Sequence, residues 1–227
     1  MSINSVNKSL EDEKNEVDLT KVLWEKLDSM TESVFGSTSS GKFFASAVGD
    51  QCDRNLWLHY NGKSPSKPID SKLRRVFDHG NITQERYKKY FTKLGVFVQD
   101  EVTLRISDPV HLSGRLDYLL SIDGKPYIVE LKTIKKDEFI QLDNAKPEHA
   151  VQLQLYLNMQ SVPTGSVLYE CKDNQEIKLF RINRNKEIYD GIIARCLRIA
   201  NMMKMPTLAS VAAIHNSYCD CQLVKDV

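Results

Sequence analysis

No apolar run in the sequence of 227 residues is long enough to span a membrane, and its first residues lack the apolar core of a secretion signal. The chain also has almost no net charge, with 31 Lys and Arg residues against 30 Asp and Glu residues. This balance argues against a protein that coats nucleic acid non-specifically, but not against an enzyme whose basic groups line one cleft. A chain of this length can build one sizeable core with room for an appendage, and no internal repeat is visible.

Cysteine is sparse too, with five residues in the chain and no secretion signal beside them. Such usage favours a reducing compartment, where buried thiols or metal ligands are expected rather than disulfides. We therefore expect a cytoplasmic protein. Cys171 and Cys196 lie at an apolar strand end and on a predicted helix, and we expect both to be core thiols.

The order of the predicted elements favours an α/β (α+β) fold, in which a central mixed sheet is flanked by helices. Hydrophobic spacing predicts helices over 18–34, 43–60 (one helix or a pair), 71–94, 147–159, 187–203 and 208–215. Alternation and turn residues predict strands over 96–106, 111–122, 125–133, 166–170 and 177–182. The polar residues of 63–68 and 135–146 predict loops, the second of them mobile and near the site described below.

The domain boundary is expected near a linker-like stretch rich in Gly, Ser and Thr at 36–41. Residues 1–17 are polar and charge-rich, which is typical of a frayed or disordered start. We therefore divide the chain into an N-terminal tail and helix over 1–40 and a single domain over 41–227.

An Asp-Gly pair at 123–124 separates two strand-like runs and predicts a two-residue hairpin turn, because both central residues must take positive φ. Counting outward from this turn places Asp117 directly opposite Glu130, in a non-hydrogen-bonded pair. The Cβ atoms of such a pair lie about 4.5–5.5 Å apart. Because side chains alternate along a strand, Lys132 shares a face with Glu130.

Two carboxylates held this close repel each other, and a purely structural sheet is not expected to keep them. A divalent cation between Asp117 and Glu130 turns the repulsion into a ligand set whose oxygen donors suit Mg²⁺ or Mn²⁺. Lys132 then points at the same place and could offset charge on a reacting phosphate. The alternative is a solvated hairpin with scattered charges, and Asp…Glu-x-Lys by itself does not decide between the two.

A polar stripe lies on the helix predicted over 147–159. His149, Gln152 and Tyr156 are spaced by three and four residues, so they lie on one face of that helix. The stripe could support a metal site on the hairpin. The alternative is a half-buried core tyrosine at 156 and a surface glutamine at 152.

The hairpin and this helix together resemble the motif series of the RecB-like branch of the PD-(D/E)XK nuclease superfamily. The matching residues are Gly114-x-x-Asp117, Glu130-x-Lys132 and Gln152-x-x-x-Tyr156. The resemblance covers about residues 43–221. It implies a restriction-endonuclease-like core preceded by a helical segment.

The resemblance also implies what these residues do. Asp117 and Glu130, with the Leu131 carbonyl, would bind Mg²⁺ or Mn²⁺, and Lys132 would assist the attacking water. Gln152 and Tyr156 would support the site or touch DNA.

Family members often carry a further metal ligand, a His or Glu that follows a Gly on an upstream helix. The segment 77–85 occupies that place here, but Gln84 stands where His is expected. Glu85 or His79 could substitute. The alternative for Glu85 is an ordinary solvated helix charge, and a weakened ligand could leave a water in its place.

The stretch 46–62 resembles the entry segment of the iron–sulfur nucleases of this branch, which include CRISPR-adaptation and AddB-type exonucleases. In those proteins one early and three late cysteines hold a [4Fe–4S] cluster. Here the late cysteines are only Cys219 and Cys221, closer together than in the family. Cys52, His215, Cys219 and Cys221 could hold Zn²⁺ or a cluster, or they are three ordinary thiols and a surface histidine.

The resemblance implies a metal-dependent exonuclease that acts on single-stranded or duplex DNA ends. Arg115, Lys135 and Lys136 could meet backbone phosphates, and because nothing in the sequence reads bases, little sequence preference is expected. The alternative is a catalytically weak DNA-binding or assembly subunit of a recombination, repair or CRISPR-type complex. A homo-oligomer or a partner protein is left open, and a bacterial or phage origin is favoured.

Overall fold

The computed structural model describes residues 19–29, 34–35, 41–64 and 67–202. The helices are α1 (Leu19–Ser29), α2 (Ala45–Val48), α3 (Asp53–Tyr60), α4 (Ser71–Lys93), α5 (Lys136–Ile140), α6 (Pro147–Met159) and α7 (Lys186–Asn201). The strands are β1 (Val34–Phe35), β2 (Phe43–Phe44), β3 (Lys67–Pro68), β4 (Phe97–Ile106), β5 (Leu112–Ile122), β6 (Lys125–Ile134), β7 (Thr164–Cys171) and β8 (Ile177–Asn183).

A mixed sheet forms the centre of the fold, as predicted. Its strands follow the order β2-β5-β6-β7-β8, with β4 paired to the other edge of β5. The pairs β4–β5, β5–β6 and β7–β8 are antiparallel, whereas β6–β7 and β2–β5 are parallel. The β6–β7 connection carries α6, the crossover that a parallel pair requires. Strands β1 and β3 form a separate two-stranded pair.

Apolar side chains cover both faces of the sheet. One face packs against α6, where Leu153, Leu155 and Leu157 are fully buried with Leu116 and Ile128 of the strands. The other face carries a smaller cluster under α4, with Tyr87 of the helix against strand residues. β7 is buried along almost its whole length, which is typical of a strand covered on both faces.

Local interactions explain several element ends. The Asp70 carboxylate accepts a hydrogen bond from Leu73 N at 2.7 Å and caps α4, and Gly95 terminates the helix with a φ of +72°. Asp123 and Gly124 take φ values of +50° and +73°, as the predicted hairpin turn requires.

Other element predictions were wrong. The polar segment 135–146 was predicted as a loop, but it contains the short helix α5, because Phe139 and Leu142 are buried against the core. Lys178 on β8 also holds this segment, since its Nζ donates to the carbonyls of Phe139 and Leu142 at 2.7 and 2.9 Å. The helix predicted over 18–34 ends at Ser29, and Val34–Phe35 is a strand.

Two further strands lie where none was predicted. Lys67–Pro68, expected in a loop, pairs with Val34–Phe35. Phe43–Phe44 pairs with β5 before the predicted helix pair begins at Ala45.

Cys171 and Cys196 are completely buried free thiols, so the prediction of core cysteines is confirmed. Within the described ranges no helix is both long and apolar enough to cross a membrane. The helix predicted over 208–215 and the stretch 36–40 lie outside the described residues. The division of the chain at 40/41 stays a prediction.

Candidate active site

The hairpin has the register predicted from its turn. Pairing begins with Ile122 and Lys125 and continues to Tyr118 and Val129, so the next step faces Asp117 towards Glu130. The backbones are no longer paired at that step. Instead, Leu131 N donates to Asp117 Oδ2 at 2.8 Å. A carboxylate therefore takes the place of a strand contact where β5 and β6 separate.

The separation is a gap in one edge of β5. β4 occupies the other edge over residues 112–120, so β6 and β2 must share this one. β6 pairs with 118–122 and β2 with 112–113, which leaves residues 114–117 of β5 without a strand partner on this edge. We call this gap the fork. It opens the sheet next to Asp117.

The alternation of side chains between the two faces of the sheet is also interrupted in β5 at the fork. Leu116 packs in the cluster under α6, whereas Tyr118, two residues on, packs in the cluster under α4. Regular alternation would put both on one face. On the β4 side, the pair expected between Glu101 and Asp117 is missing, and Glu101 has a φ of +51°. The irregularity lets Asp117 join the face that carries Glu130.

Glu130 and Lys132 form an ion pair on that face. Lys132 Nζ lies 2.8 Å from Glu130 Oε1, and Glu130 is only 1% exposed. Burial and the charge of Asp117 raise the pKa of Glu130 to about 8, although Lys132 opposes the shift. Burial also raises the pKa of Asp117, against the charge of Lys132 and the Leu131 N–H.

For Lys132, burial and the neighbouring charges act on the pKa in opposite directions. Burial by itself would lower the pKa of its ammonium, but the charges of Glu130 and Asp117 hold that pKa above its ordinary value. Two acids therefore share one cation, and ionising both would leave a surplus of negative charge.

This surplus fits a divalent cation. Glu130 Oε2 is buried, and no described residue makes a hydrogen bond to it, which is unusual and costly for a carboxylate oxygen. With Asp117 and the Leu131 carbonyl it offers hard oxygen donors of the kind Mg²⁺ takes while keeping several waters. Within the described ranges, no group of three or more His, Cys, Asp and Glu residues is arranged to hold a metal ion. The protein's side chains would therefore fill only part of the coordination sphere.

The three candidates for a further ligand lie on α4. Glu85 is exposed, and His79 is half-buried; neither joins the two acids in a ligand group of the described residues. Gln84 is tied to the strand, because the Tyr118 hydroxyl donates to its carbonyl at 2.5 Å. Its side-chain Nε2 is buried and has no hydrogen-bond partner among the residues that the structure describes. Which of the three serves as a ligand stays a prediction.

Gln152 and Tyr156 connect α6 to the fork. Gln152 Nε2 donates to Tyr156 Oη at 3.0 Å, and Tyr156 Oη donates to the Arg115 carbonyl at 3.1 Å. Both side chains are buried, so the alternative of a surface glutamine and a half-buried tyrosine is wrong. The Tyr156 ring lies so close to Gly114 that a Cβ there would be 2.6 Å from it. Position 114, the first of the Gly-x-x-Asp motif, therefore has no room for a side chain larger than that of glycine.

Two residues near the site escaped the sequence reasoning. Glu101 pairs with Arg115 at 3.1 Å, and its charge helps to raise the pKa of Asp117. No sequence signal indicated its left-handed backbone. Tyr169 lies beside Lys132 in the register of β6 and β7, and its hydroxyl is 2.7 Å from His149 Nδ1. The parallel register of β6 and β7 places Tyr169 beside Lys132. That register cannot be counted from the hairpin turn, because β7 is not part of the hairpin.

The cysteine site is only partly described. Cys52 is buried before α3, where its backbone N donates to Asp50 Oδ1 at 2.8 Å. His215, Cys219 and Cys221 lie outside the described residues. The Zn²⁺ or cluster site therefore stays a prediction.

Comparisons with known proteins bear on the family and the fold of the chain. A family model described as the PD-(D/E)XK nuclease superfamily matches residues 6–207. No curated protein matches the sequence significantly. The alkaline exonuclease LHK-Exo from Laribacter hongkongensis is similar in structure, with a TM-score of 0.53 and 15% identity over 84% of this chain and 95% of that one.

Two other crystal structures are similar. LHK-Exo in complex with dAMP gives a TM-score of 0.54 and 16% identity over 77% of this chain and 91% of that one. SSO0001 gives a TM-score of 0.50 and 20% identity over 82% of this chain and 85% of that one. At these identities the likeness concerns the fold.

Proposed function

Because the chain belongs to the PD-(D/E)XK nuclease superfamily, we propose that it is a Mg²⁺- or Mn²⁺-dependent exonuclease that hydrolyses phosphodiester bonds at DNA ends. The observation that carries the proposal is the gathering of Asp117, Glu130 and Lys132 at the fork, with one Glu130 oxygen buried and unpaired. An under-satisfied acid pair beside a lysine is a poor structural element. It is a good receptor for a cation and a phosphate.

Asp117, Glu130 and the Leu131 carbonyl would hold the cation. When bound, such a cation lowers the pKa of water and polarises a phosphate oxygen. The Leu131 N–H fixes Asp117 Oδ2, so the carboxylate is oriented before any ligand arrives. This preorganisation is what a metal site needs from its surroundings.

Lys132 would act on the substrate. Its ammonium is held by Glu130 at the fork, where it can donate to the attacking water and stabilise negative charge that develops on the phosphate. Tyr156 and Gln152 act indirectly, because their hydrogen bonds fix the Arg115 carbonyl two residues before Asp117.

Basic side chains near the fork would hold the DNA backbone. Arg115 is more than half exposed, and Lys135 and Lys136 follow the end of β6. Such contacts to phosphates position a strand without reading its sequence. The preference for DNA ends rests on the resemblance to the RecB-like branch and on the fold shared with a protein named an alkaline exonuclease.

A cleavage assay tests the proposal. Purified protein is incubated with end-labelled linear single-stranded and duplex DNA, and with closed circular DNA, in Mg²⁺, Mn²⁺ or EDTA. We expect release of short products from linear DNA only, and only with a cation. Asp117→Asn should abolish it, whereas Asp123→Asn, at the tip of the same hairpin, should not. Equal cleavage of circular DNA would reject the exonuclease assignment, and undiminished cleavage by Asp117→Asn would reject this site.

A catalytically weak DNA-binding or assembly subunit is the second candidate. It is favoured by Gln84, which stands where the family has a metal-binding histidine. Tight DNA binding without cleavage in any cation, combined with cleavage by Gln84→His, would support it.

We also propose that Cys52, His215, Cys219 and Cys221 bind Zn²⁺ or a [4Fe–4S] cluster. Elemental analysis of the purified protein tests this. Loss of the metal in Cys219→Ser and its retention in Cys196→Ser would support it, and a protein free of zinc and iron would not.

A further inference from the structure

His149 lies at the start of α6, and the function proposed above gives it no role. Its Nδ1 is 2.7 Å from the Tyr169 hydroxyl, and the two rings have centroids 5.5 Å apart. Tyr169 is the direct neighbour of Lys132 in the β6–β7 register. Both strand residues face α6, so the His149 ring is held beside the lysine of the candidate site.

The hydrogen bonds around Tyr169 define the protonation of His149. Lys146 N donates to the Tyr169 hydroxyl at 2.9 Å, which occupies one lone pair of that oxygen. Tyr169 is completely buried, and among the described residues His149 Nδ1 is the one acceptor recorded for its O–H proton. A buried hydroxyl without an acceptor is costly. Tyr169 therefore donates to Nδ1, and His149 carries its proton on Nε2.

The surroundings keep this imidazole neutral. Burial and the charges of Lys132 and Lys146 lower the pKa of His149 to about 3, against the weaker influence of Glu138. Burial also raises the pKa of Tyr169 to about 12, so its hydroxyl keeps the proton that it donates. The result is a fixed, uncharged N–H donor next to a lysine ammonium.

The Nε2–H has no recorded hydrogen bond within the described part of the chain. Nε2 is on the other side of the ring from Nδ1, hence turned away from Tyr169. A neutral donor is suited to this place because a second cation would compete with Lys132 for Glu130. Its natural partner is an anionic oxygen that Lys132 also attracts.

We propose that His149 binds the substrate, with Nε2–H donating to a non-bridging oxygen of a DNA backbone phosphate held beside Lys132. The inference rests on the function proposed above and deepens it. In it, Tyr169 is a positioning residue, which fixes the tautomer and the angle of the ring. The competing explanation is that His149 only anchors the start of α6 to β7.

Two substitutions separate these explanations. His149→Asn keeps a polar group near the Nδ1 position for Tyr169 but removes the donor at Nε2. We expect cleavage of a short single strand to fall roughly 10- to 100-fold, the range for a hydrogen bond to a charged group, with an unchanged thermal midpoint. His149→Gln extends an amide N–H towards the Nε2 position, and we expect it to restore most of the activity.

A measurement independent of turnover completes the test. Long-range ¹H–¹⁵N correlation spectra report histidine tautomers, and the His149 signals are those missing from His149→Asn. We expect the Nε2–H form between about pH 6 and 8, where a free histidine would titrate. In the Asp117→Asn chain, we expect its Nε2 signal to shift when single-stranded DNA is added.

The outcomes distinguish this inference from the function itself. An Nδ1–H tautomer, an Nε2 signal unmoved by saturating DNA, or full cleavage by His149→Asn would overturn the role of His149 and leave the nuclease assignment standing. A DNA-dependent shift of Nε2 in a protein that never cleaves would support the contact and reject the enzyme.

Discussion

Two buried glutamates lie on neighbouring parallel strands and on opposite faces of the sheet. Glu130 of β6 faces α6 and is 1% exposed, and Glu170 of β7 faces α4 and is 2% exposed. Arg86 of α4 donates to both oxygens of Glu170, and the Tyr87 hydroxyl bonds to it as well. Glu130 has Lys132 on one oxygen and an acidic neighbour, and its other oxygen accepts no hydrogen bond from the part of the chain that the structure describes.

Under the proposed function, the difference separates an acid that links two elements from one that would bind a cation. Where a buried carboxylate only links two elements, every oxygen finds a donor, as at Glu170. At Glu130 no described residue pairs with the second oxygen, and Asp117 adds a repulsion that a bound cation would relieve. Such under-satisfied groups are typical of sites that have a ligand.

The largest expected effect is on cleavage. Glu130→Gln should lower the cleavage rate at least about a thousandfold, because it removes a charged metal ligand from the reacting centre. Glu170→Gln, the matched change on the opposite face, should leave the rate per folded molecule nearly unchanged. Initial rates with Mn²⁺ and end-labelled DNA measure both. Equal losses in the two variants would remove the distinction between the glutamates.

The next largest effect is on the free energy of unfolding, and it concerns Glu170 on the face of the sheet under α4. Arg86→Ala leaves Glu170 buried without its main partner, and we expect the free energy of unfolding to fall by about 2–3 kcal/mol, allowing for the half-exposed arginine. Lys88→Ala, two residues on in α4, breaks a more exposed pair with Asp100 and should lower the free energy of unfolding clearly less than Arg86→Ala. Urea unfolding in EDTA measures both. A larger loss in Lys88→Ala would contradict the structural role of Glu170.

The cost of ionising Glu130 should be measurable as a loss of stability in the metal-free protein. Its pKa is about 8 in the folded chain against an ordinary value of 4.5, so ionising it costs stability as the pH rises through this range. Glu130→Gln removes that cost, and we expect it to stabilise the metal-free protein by about 1–3 kcal/mol at pH 9 but little at pH 4. Unfolding in EDTA across this pH range is the measurement. A variant less stable than the wild type at pH 9 would show that Glu130 is not strained.

The smallest effect concerns the contact between α6 and the fork. A Cβ on Gly114 would lie 2.6 Å from the Tyr156 ring and 2.8 Å from Ala45 Cβ, so Gly114→Ala should cost about 1–3 kcal/mol and slow cleavage by displacing β5. Gly80→Ala on α4 meets no atom within 4 Å and should stabilise the protein by about 0.5–1 kcal/mol. Thermal unfolding and cleavage rates of the pair test the contact; unchanged activity in Gly114→Ala would mean that the fork tolerates movement.

Regions governed by neighbouring residues were predicted well. The helices 71–94 and 147–159 follow from apolar spacing and from residues at their ends, and the structure places them at Ser71–Lys93 and Pro147–Met159. The short helix α5 was missed because its sequence is polar. Its stability comes from Phe139 and from Lys178, a residue of a distant strand.

The support around the candidate site was harder to predict. Gln152 and Tyr156 are polar, and sequence spacing placed them on one face but did not show that the face is buried. Tyr169 was missed because its proximity to Lys132 depends on parallel pairing across a helical crossover.

The register of the hairpin follows from local sequence, because a two-residue Asp-Gly turn fixes each later pair by counting and so places Asp117 opposite Glu130. That the sheet opens at this step depends on contacts between distant segments. β2, from far upstream, takes the same edge of β5 that β6 leaves, and the four positions between them stay without a strand. The tertiary structure also decided which glutamate is satisfied. An oxygen's partners come from whichever helix packs over it, and the chain order of Glu130 and Glu170 does not contain that information.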